Sequence, residues 1–247
     1  LPNQRAGTST AQSEGRDEHC PIRGQGRAPN QRAGTSPAPI RGIMKIKTLL
    51  LDVENPFLLC NRTIGERIRD SGKQWLWQDR SGIQIDVIVI HYISAIQLQP
   101  QYPFDLGAIL GIFCDFGVSS HYLIDRRGAT TLLVPEQKKA WHCGGSIMPE
   151  PDNRIGVNDF SIGIELMATE KSGFTMLQYK SLCNLCDSIE MLYGRTFNYV
   201  GHDQIAGERA VALGLRKEIK QDPGSLFDWR YFSSCMEKLR ACRANIT

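Results

Sequence analysis

One stretch limits the possible folds more than any other. Residues 83–90, Ile-Gln-Ile-Asp-Val-Ile-Val-Ile, alternate and then turn continuously apolar, ending at His91. Alternation followed by an unbroken β-branched run reads as a strand buried on both faces at its C-terminal end. Such a strand belongs inside a sheet whose faces are covered by helices, so helical and strand-like patterns should interleave around it. They do. Ser161 to Met167 reads as a second buried strand, and residues 104–116 are apolar at helical spacing. Residues 175–193 carry apolar side chains at 177, 182, 185, 186, 189 and 192, one face of an amphipathic helix. His121 to Ile124 and Thr130 to Val134 flank Asp125-Arg-Arg-Gly128, a hairpin signal. Tyr199-Val200 reads as a short strand and 229–241 as a closing helix. The expected fold class is α/β: a single domain with a central mixed, mainly β-sheet flanked by helices.

The first 43 residues do not share this pattern. Pro-Asn-Gln-Arg-Ala-Gly-Thr-Ser occurs at 2–9 and again at 29–36, and Pro-Ile-Arg-Gly at 21–24 and 39–42. With six Gly, five Pro and no aromatic residue, the segment has too little apolar surface to offset its ordering entropy. It is expected to be a disordered tail, and with Met44 opening the globular pattern it is a candidate for sequence outside the native protein. Residues 44–82 form an N-terminal extension expected to pack on the domain, in which Trp75 and Trp77 read as packing residues. The domain proper is expected over 83–232, with a C-terminal helix and tail over 233–247.

Charge removes one class of function. Six Arg and three acids lie in the first 43 residues, so the remainder balances at 23 basic and 23 acidic side chains. A neutral domain lacks the basic footprint of a nucleic-acid binder. Eight cysteines invite a disulfide reading, but a chain of 247 residues can bury a core without staples. Cys114, Cys183 and Cys186 sit among apolar residues, so reduced thiols are expected. No uninterrupted apolar run approaches the roughly 18 residues that a membrane helix needs. The stretch from Met44 resembles the start of a signal peptide until Asp52, Glu54 and Pro56 interrupt it. A cytoplasmic monomer is therefore the expectation, with a periplasmic or secreted protein as the alternative.

Candidate chemistry concentrates in a few polar residues. His91 ends the apolar strand, His202 follows Gly201 after a short strand, and Asp222 lies in Asp-Pro-Gly, an ordinary turn signature. Alone, each reads as a structural residue. Together, two imidazoles and one carboxylate suit a catalytic zinc whose fourth position is open, although their convergence depends on the fold. Cys183-x-x-Cys186 lies on the apolar face of a helix with Leu182 and Ile189 and reads as core packing. His121 reads as structural beside Tyr122 and Leu123.

The ordered set of segments resembles the type 2 N-acetylmuramoyl-L-alanine amidases, particularly the AmpD-like branch. More distant relatives are phage lysozyme-amidases and peptidoglycan recognition proteins. The resemblance runs from about Ile83 to Phe232. It rests on the strand ending at His91, on Val118-Ser-Ser-His-Tyr-Leu-Ile-Asp125, and on Val134-Pro-Glu through Ala140-Trp-His-Cys-Gly144. Asn158-Asp-Phe-Ser-Ile-Gly-Ile-Glu165, Gly201-His202, and Lys220-Gln-Asp-Pro-Gly224 with Phe227-Asp-Trp229 complete it. The resemblance implies that His91, His202 and Asp222 ligate Zn2+. It implies that Glu165 handles the proton of the attacking water and that Lys220 stabilises the oxyanion. Substrate contacts are expected from Trp141, His142, Asn158 and Arg154, with His142 also open to a buried structural role.

The implied reaction is hydrolysis of the amide between N-acetylmuramic acid and L-alanine, in peptidoglycan or in anhydro-muropeptides. A non-catalytic peptidoglycan-binding module is the alternative, and the three filled ligand positions weigh against it. Two departures from the family pattern stand out. Residues 210–219 form an apparent insertion between His202 and Asp222. Gly156 and Val157 stand where close relatives often carry an Arg before Asn158, leaving Arg154 as the nearest base.

Overall fold

The computed structural model describes residues 45–51 and 76–245. The expected tail over 1–43 and most of the extension over 44–82 lie outside the described residues. Among the described residues there are eight strands: β1 (Ile46–Thr48), β2 (Trp77–Asp79), β3 (Val87–Ile93), β4 (Tyr122–Ile124), β5 (Thr130–Leu132), β6 (Lys138–Ala140), β7 (Ser161–Met167) and β8 (Asn198–Gly201). Five helices accompany them among the same residues: α1 (Leu106–Phe116), α2 (Met176–Tyr193), α3 (His202–Ile205), α4 (Glu208–Ala212) and α5 (Trp229–Ala244). Six strands form one sheet in the order β1-β5-β4-β7-β3-β8, and β2 pairs with β6 in a separate ribbon. β4, β7, β3 and β8 run parallel, and β5 turns antiparallel to β4. This is the mixed α/β sheet read from the sequence.

The apolar run is the centre of that sheet. Val87, Val89, Ile88 and Ile90 are all fully buried, because β3 has β7 on one side and β8 on the other. Burying each such side chain stabilises the fold by about 1.5–3 kcal/mol before ordering costs are counted. β3 begins at Val87 rather than Ile83, since its partner β7 starts at Ser161 after a 3-10 turn over Val157–Asp159. The strand then continues past the apolar run, carrying His91 into the sheet opposite Glu165.

Helix ends follow local chemistry. Thr175 and Gln178 form a reciprocal capping box at the start of α2, and Gly194 closes it in the left-handed region at φ 62°. Gln178 also donates to the carbonyls of Ile124 and Met167, tying α2 to the ends of β4 and β7. Asp105 caps α1 by accepting from Ala108, and Asp228 caps α5 by accepting from Tyr231.

The sheet's two faces bury different clusters. Ile88, Ile90, Ile162, Ile164 and Leu166 pack with Leu182, Leu185 and Ile189 of α2 and with Phe232 and Met236 of α5. Cys183 and Cys186 lie in this cluster as free thiols, which is the core-packing role expected for the pair. On the opposite face α1 contributes Ile109, Leu110 and Phe113 beside Leu123 and Met167, with Trp77 packed against them. No helix among the described residues is long and apolar enough to cross a membrane.

Candidate metal centre

The polar site forms where the pairing of β3 with β8 ends. Ile90 pairs with Gly201, so the residues that follow, His91 within β3 and His202 just past β8, emerge as neighbours. Their rings lie 4.5 Å apart between centroids. The Asp222 loop is pinned onto the same corner, with Asp203 N–H donating to the Asp222 carbonyl at 2.8 Å. Gly201 makes this approach possible: a Cβ there would stand 2.8 Å from Pro223 Cδ and closer still to Asp203 Oδ1.

Three donor atoms converge as a result. His91 Nδ1 and His202 Nδ1 each lie 3.1 Å from Asp222 Oδ2. His91 is 1% exposed and His202 5%. His202 Nε2 can only donate to the Cys143 carbonyl at 3.2 Å, which spends its single neutral-ring proton there. Its Nδ1 then meets Asp222 as a lone pair. With His142 protonated on Nε2 to donate to Ser161 Oγ, its Nδ1 accepts from His91 Nε2 at 3.0 Å. His91 Nδ1 is left as a second lone pair facing the same carboxylate. Burial, then the neighbouring His202, lowers the His91 pKa to about 4, so this ring is neutral.

Two lone pairs and an anion aimed at one point lack only a cation. Zinc binds imidazole nitrogen and carboxylate oxygen at about 2.0–2.2 Å, which sets tetrahedral donors about 3.3 Å apart. The two observed 3.1 Å separations fit that requirement. A second group, His91, His142 and Cys143, also brings its donor atoms together. It fits less well: burial pushes the Cys143 thiol well above its ordinary range, so it stays protonated, and His142 Nδ1 is already bonded to His91.

Glu165 completes the centre from the neighbouring strand. It pairs in register with His91 on β7, and parallel partners project to the same face. Its Oε2 is buried with no hydrogen-bond partner among the described residues. Burial, then Asp222, raises its pKa well above the usual value, with Lys220 pulling in the other direction. An unpartnered buried carboxylate is costly, so its retention beside a cation site points to chemistry rather than packing.

The model for the family described as N-acetylmuramoyl-L-alanine amidase matches residues 81–225. The chain belongs to that family. It is 34% identical to the 1,6-anhydro-N-acetylmuramyl-L-alanine amidase AmpD of Haemophilus influenzae over 168 residues, covering 61% of this chain and 82% of that protein. It is 40% identical to the AmpD of Citrobacter freundii over 116 residues, covering 47% of this chain but only 55% of that one. A solved crystal structure of a selenomethionine AmpD derivative superposes with a TM-score of 0.50 at 31% identity, over 65% of this chain and 89% of that one.

The centre opens into a cavity of about 420 Å³. Lys220, Trp141, His142 and Asn158 line it together with the three donors and Glu165. His142 fits because Gly163 has no side chain; a Cβ there would lie 2.6 Å from the imidazole. Asn158 Oδ1 accepts from the N–H groups of His142 and Cys143, so it shapes the loop that carries them. Arg154 is not among the cavity residues. Its guanidinium pairs with Asp86 and Asp152 and covers the Phe160 ring. His121 is a buried structural residue whose Nδ1 accepts from Gly163 N–H at 2.9 Å.

Two contributors were missed in the sequence. The Cys143 carbonyl orients His202, a backbone role that no side-chain pattern announces. Arg216, inside the 210–219 insertion, also lines the cavity. The only sequence signal for it is a base two residues after Gly214 within an unexplained insertion.

Proposed function

We propose that this chain is a zinc-dependent amidase that hydrolyses the bond between N-acetylmuramic acid and L-alanine, acting on 1,6-anhydro-muropeptides as the named AmpD relatives do. The observation that carries this reading is the convergence of His91 Nδ1, His202 Nδ1 and Asp222 Oδ2 beside the unpartnered Glu165 Oε2 in one open cavity. Two imidazoles and a carboxylate leave a fourth position open, as a catalytic site requires. A site built only to bind sugar and peptide has no use for an orphaned carboxylate next to three metal donors.

A zinc ion held by these residues supplies Lewis acidity, making a water nucleophilic near neutral pH and polarising the scissile carbonyl. The Cys143 carbonyl and His142 fix the two imidazoles in the tautomers that present Nδ1. Glu165, with its pKa raised by burial, is suited to accept the proton of the attacking water and return it to the alanine amine. Lys220 lines the same cavity and places a positive charge where the carbonyl oxygen gains negative charge.

Purified protein loaded with zinc should release stem peptide from anhydro-muropeptide. Chelation should abolish this release, and His202→Ala should abolish both the activity and one-to-one zinc binding measured by atomic absorption. Release that survives chelation and the substitution would overturn the proposal.

A further inference from the structure

The insertion between His202 and Asp222 is a built structure with one side chain aimed back at the site. α4 ends at Ala212, and Gly214, at φ 69°, turns the chain so that Leu215 N–H donates to the Ala210 carbonyl. The returning Leu215 carbonyl lies so close over Gly145 that a Cβ there would stand 1.9 Å from it. Docked this way, Arg216 places Nη1 3.3 Å from the carbonyls of both Cys143 and Gly145, and its Nε donates to the Glu218 carbonyl at 2.5 Å. Cys143 O is the same acceptor that holds His202. Arg216 therefore stands one acceptor atom away from a metal donor.

Partners and place together set it apart: Arg80 and Arg126 are also held mainly by backbone carbonyls, but neither lines the cavity that contains the three donors. Arg154, Arg240 and Arg243 each pair with carboxylates. Among the described residues Arg216 bonds only to backbone carbonyls, and its Nη2 is not engaged. Burial lowers its pKa, so the fold bears a cost to keep this cation on the cavity wall. A guanidinium fixed by neutral carbonyls, with one edge open to a substrate cavity, is suited to a charge-assisted bond with a carboxylate.

We infer that Arg216 receives the α-carboxylate of the stem-peptide residue next to the alanine, making the insertion a selectivity device for acidic over amidated peptides. The inference rests on the amidase reading, since that reading places a peptide in this cavity. The substrate of the related AmiD, anhydro-N-acetylmuramic acid-L-Ala-D-γ-Glu-L-Lys, has a γ-linked glutamate beside the alanine, whose α-carboxylate is free and only a few bonds from the scissile amide.

The test uses N-acetylmuramoyl-L-alanyl-D-γ-glutamyl-L-lysine in two forms, with the glutamate α-carboxyl free or amidated. Binding is measured by calorimetry to the zinc-loaded full chain carrying Glu165→Gln to block turnover. The free acid should bind about 10- to 100-fold more tightly than the amide, the worth of one charge-assisted hydrogen bond. Adding Arg216→Gln should erase that preference by weakening the acid alone. Equal affinity for the two forms would overturn the inference without any further variant, and so would an Arg216→Gln loss that falls equally on both. If the unmodified enzyme cleaves neither form while the acid preference holds, the hydrolytic reading fails and the role of Arg216 stands. If it cleaves both alike, the reverse follows.

Discussion

On one side of the paired strands β3 and β7, Ile88, Ile90, Ile162 and Ile164 lie against α2 and α5 with no exposure to water. On the other side, His91 and Glu165 sit opposite each other in register, beside Gly163, which leaves room for the His142 ring. The same strands alternate between the two sides residue by residue, so stability and chemistry are written into one stretch of chain one residue out of phase. The apolar side holds the backbone positions fixed. The polar side uses that rigidity to keep an unpartnered carboxylate and two bare imidazole nitrogens aimed at one point, an arrangement that softer packing would let collapse.

If that division is real, substitutions on the two sides should separate cleanly into activity and stability. Glu165→Gln should give the largest effect, a loss of about 10²–10⁴ in kcat from removing a positioned proton acceptor. Zinc content should not change, since the donors are elsewhere. The metal-free variant should melt no lower than the parent. A carboxyl whose folded pKa is raised costs stability wherever the unfolded chain would ionise it, and the amide removes that cost. A large fall in Tm would show that Glu165 holds the fold together and would dissolve the contrast.

The converse lies one residue away. Ile164 is fully buried on the α2 side. Ile164→Ala should cost about 3–4 kcal/mol in denaturant unfolding through the lost transfer energy and the cavity left behind. Its kcat and zinc affinity should stay within twofold of the parent under conditions where the variant is folded. A matching loss in kcat would show that the apolar side tunes the centre and does not merely carry it.

The two sides were also unequally legible in the sequence. The apolar side announced itself because alternation and helical spacing are local: β7 was read at its observed limits, and α2 within one residue. β3 was placed four residues early, because Ile83 and Ile85 continue the alternation although pairing begins only where β7 does, at Ser161. His91, His202 and Asp222 were each indistinguishable from structural residues until family order linked them. What joins them physically is the neighbouring of β3 and β8, a long-range pairing that no local pattern encodes. Arg216 was invisible for a related reason. Its direction is set by the left-handed turn at Gly214 and by the absence of a side chain at Gly145, some 70 residues away in the chain.

The apolar side has one charged element of its own, and it offers the finest test of the comparison. Glu190 on α2 is 2% exposed and accepts from Arg240 and Arg243 of α5 and from the Tyr199 hydroxyl. Burial pushes its carboxyl up, but these partners outweigh burial and bring it from an ordinary 4.5 to about 2. A depressed carboxylate contributes stability that is fully present above the unfolded pKa and is lost as pH falls through the folded one. The parent should therefore lose stability between about pH 4.5 and about pH 2 as this clip between α2 and α5 is protonated. Glu190→Gln should cost about 2–3 kcal/mol at pH 7, because it leaves the partly buried Arg240 guanidinium without its anion and Arg243 with Asp187 alone. The difference between variant and parent should shrink over that same acid window, measured by denaturant unfolding of the metal-free proteins at each pH. A difference that stays constant with pH would mean that the Glu190 clip orients α5 without adding electrostatic stability, and that the apolar side owes its strength to packing alone.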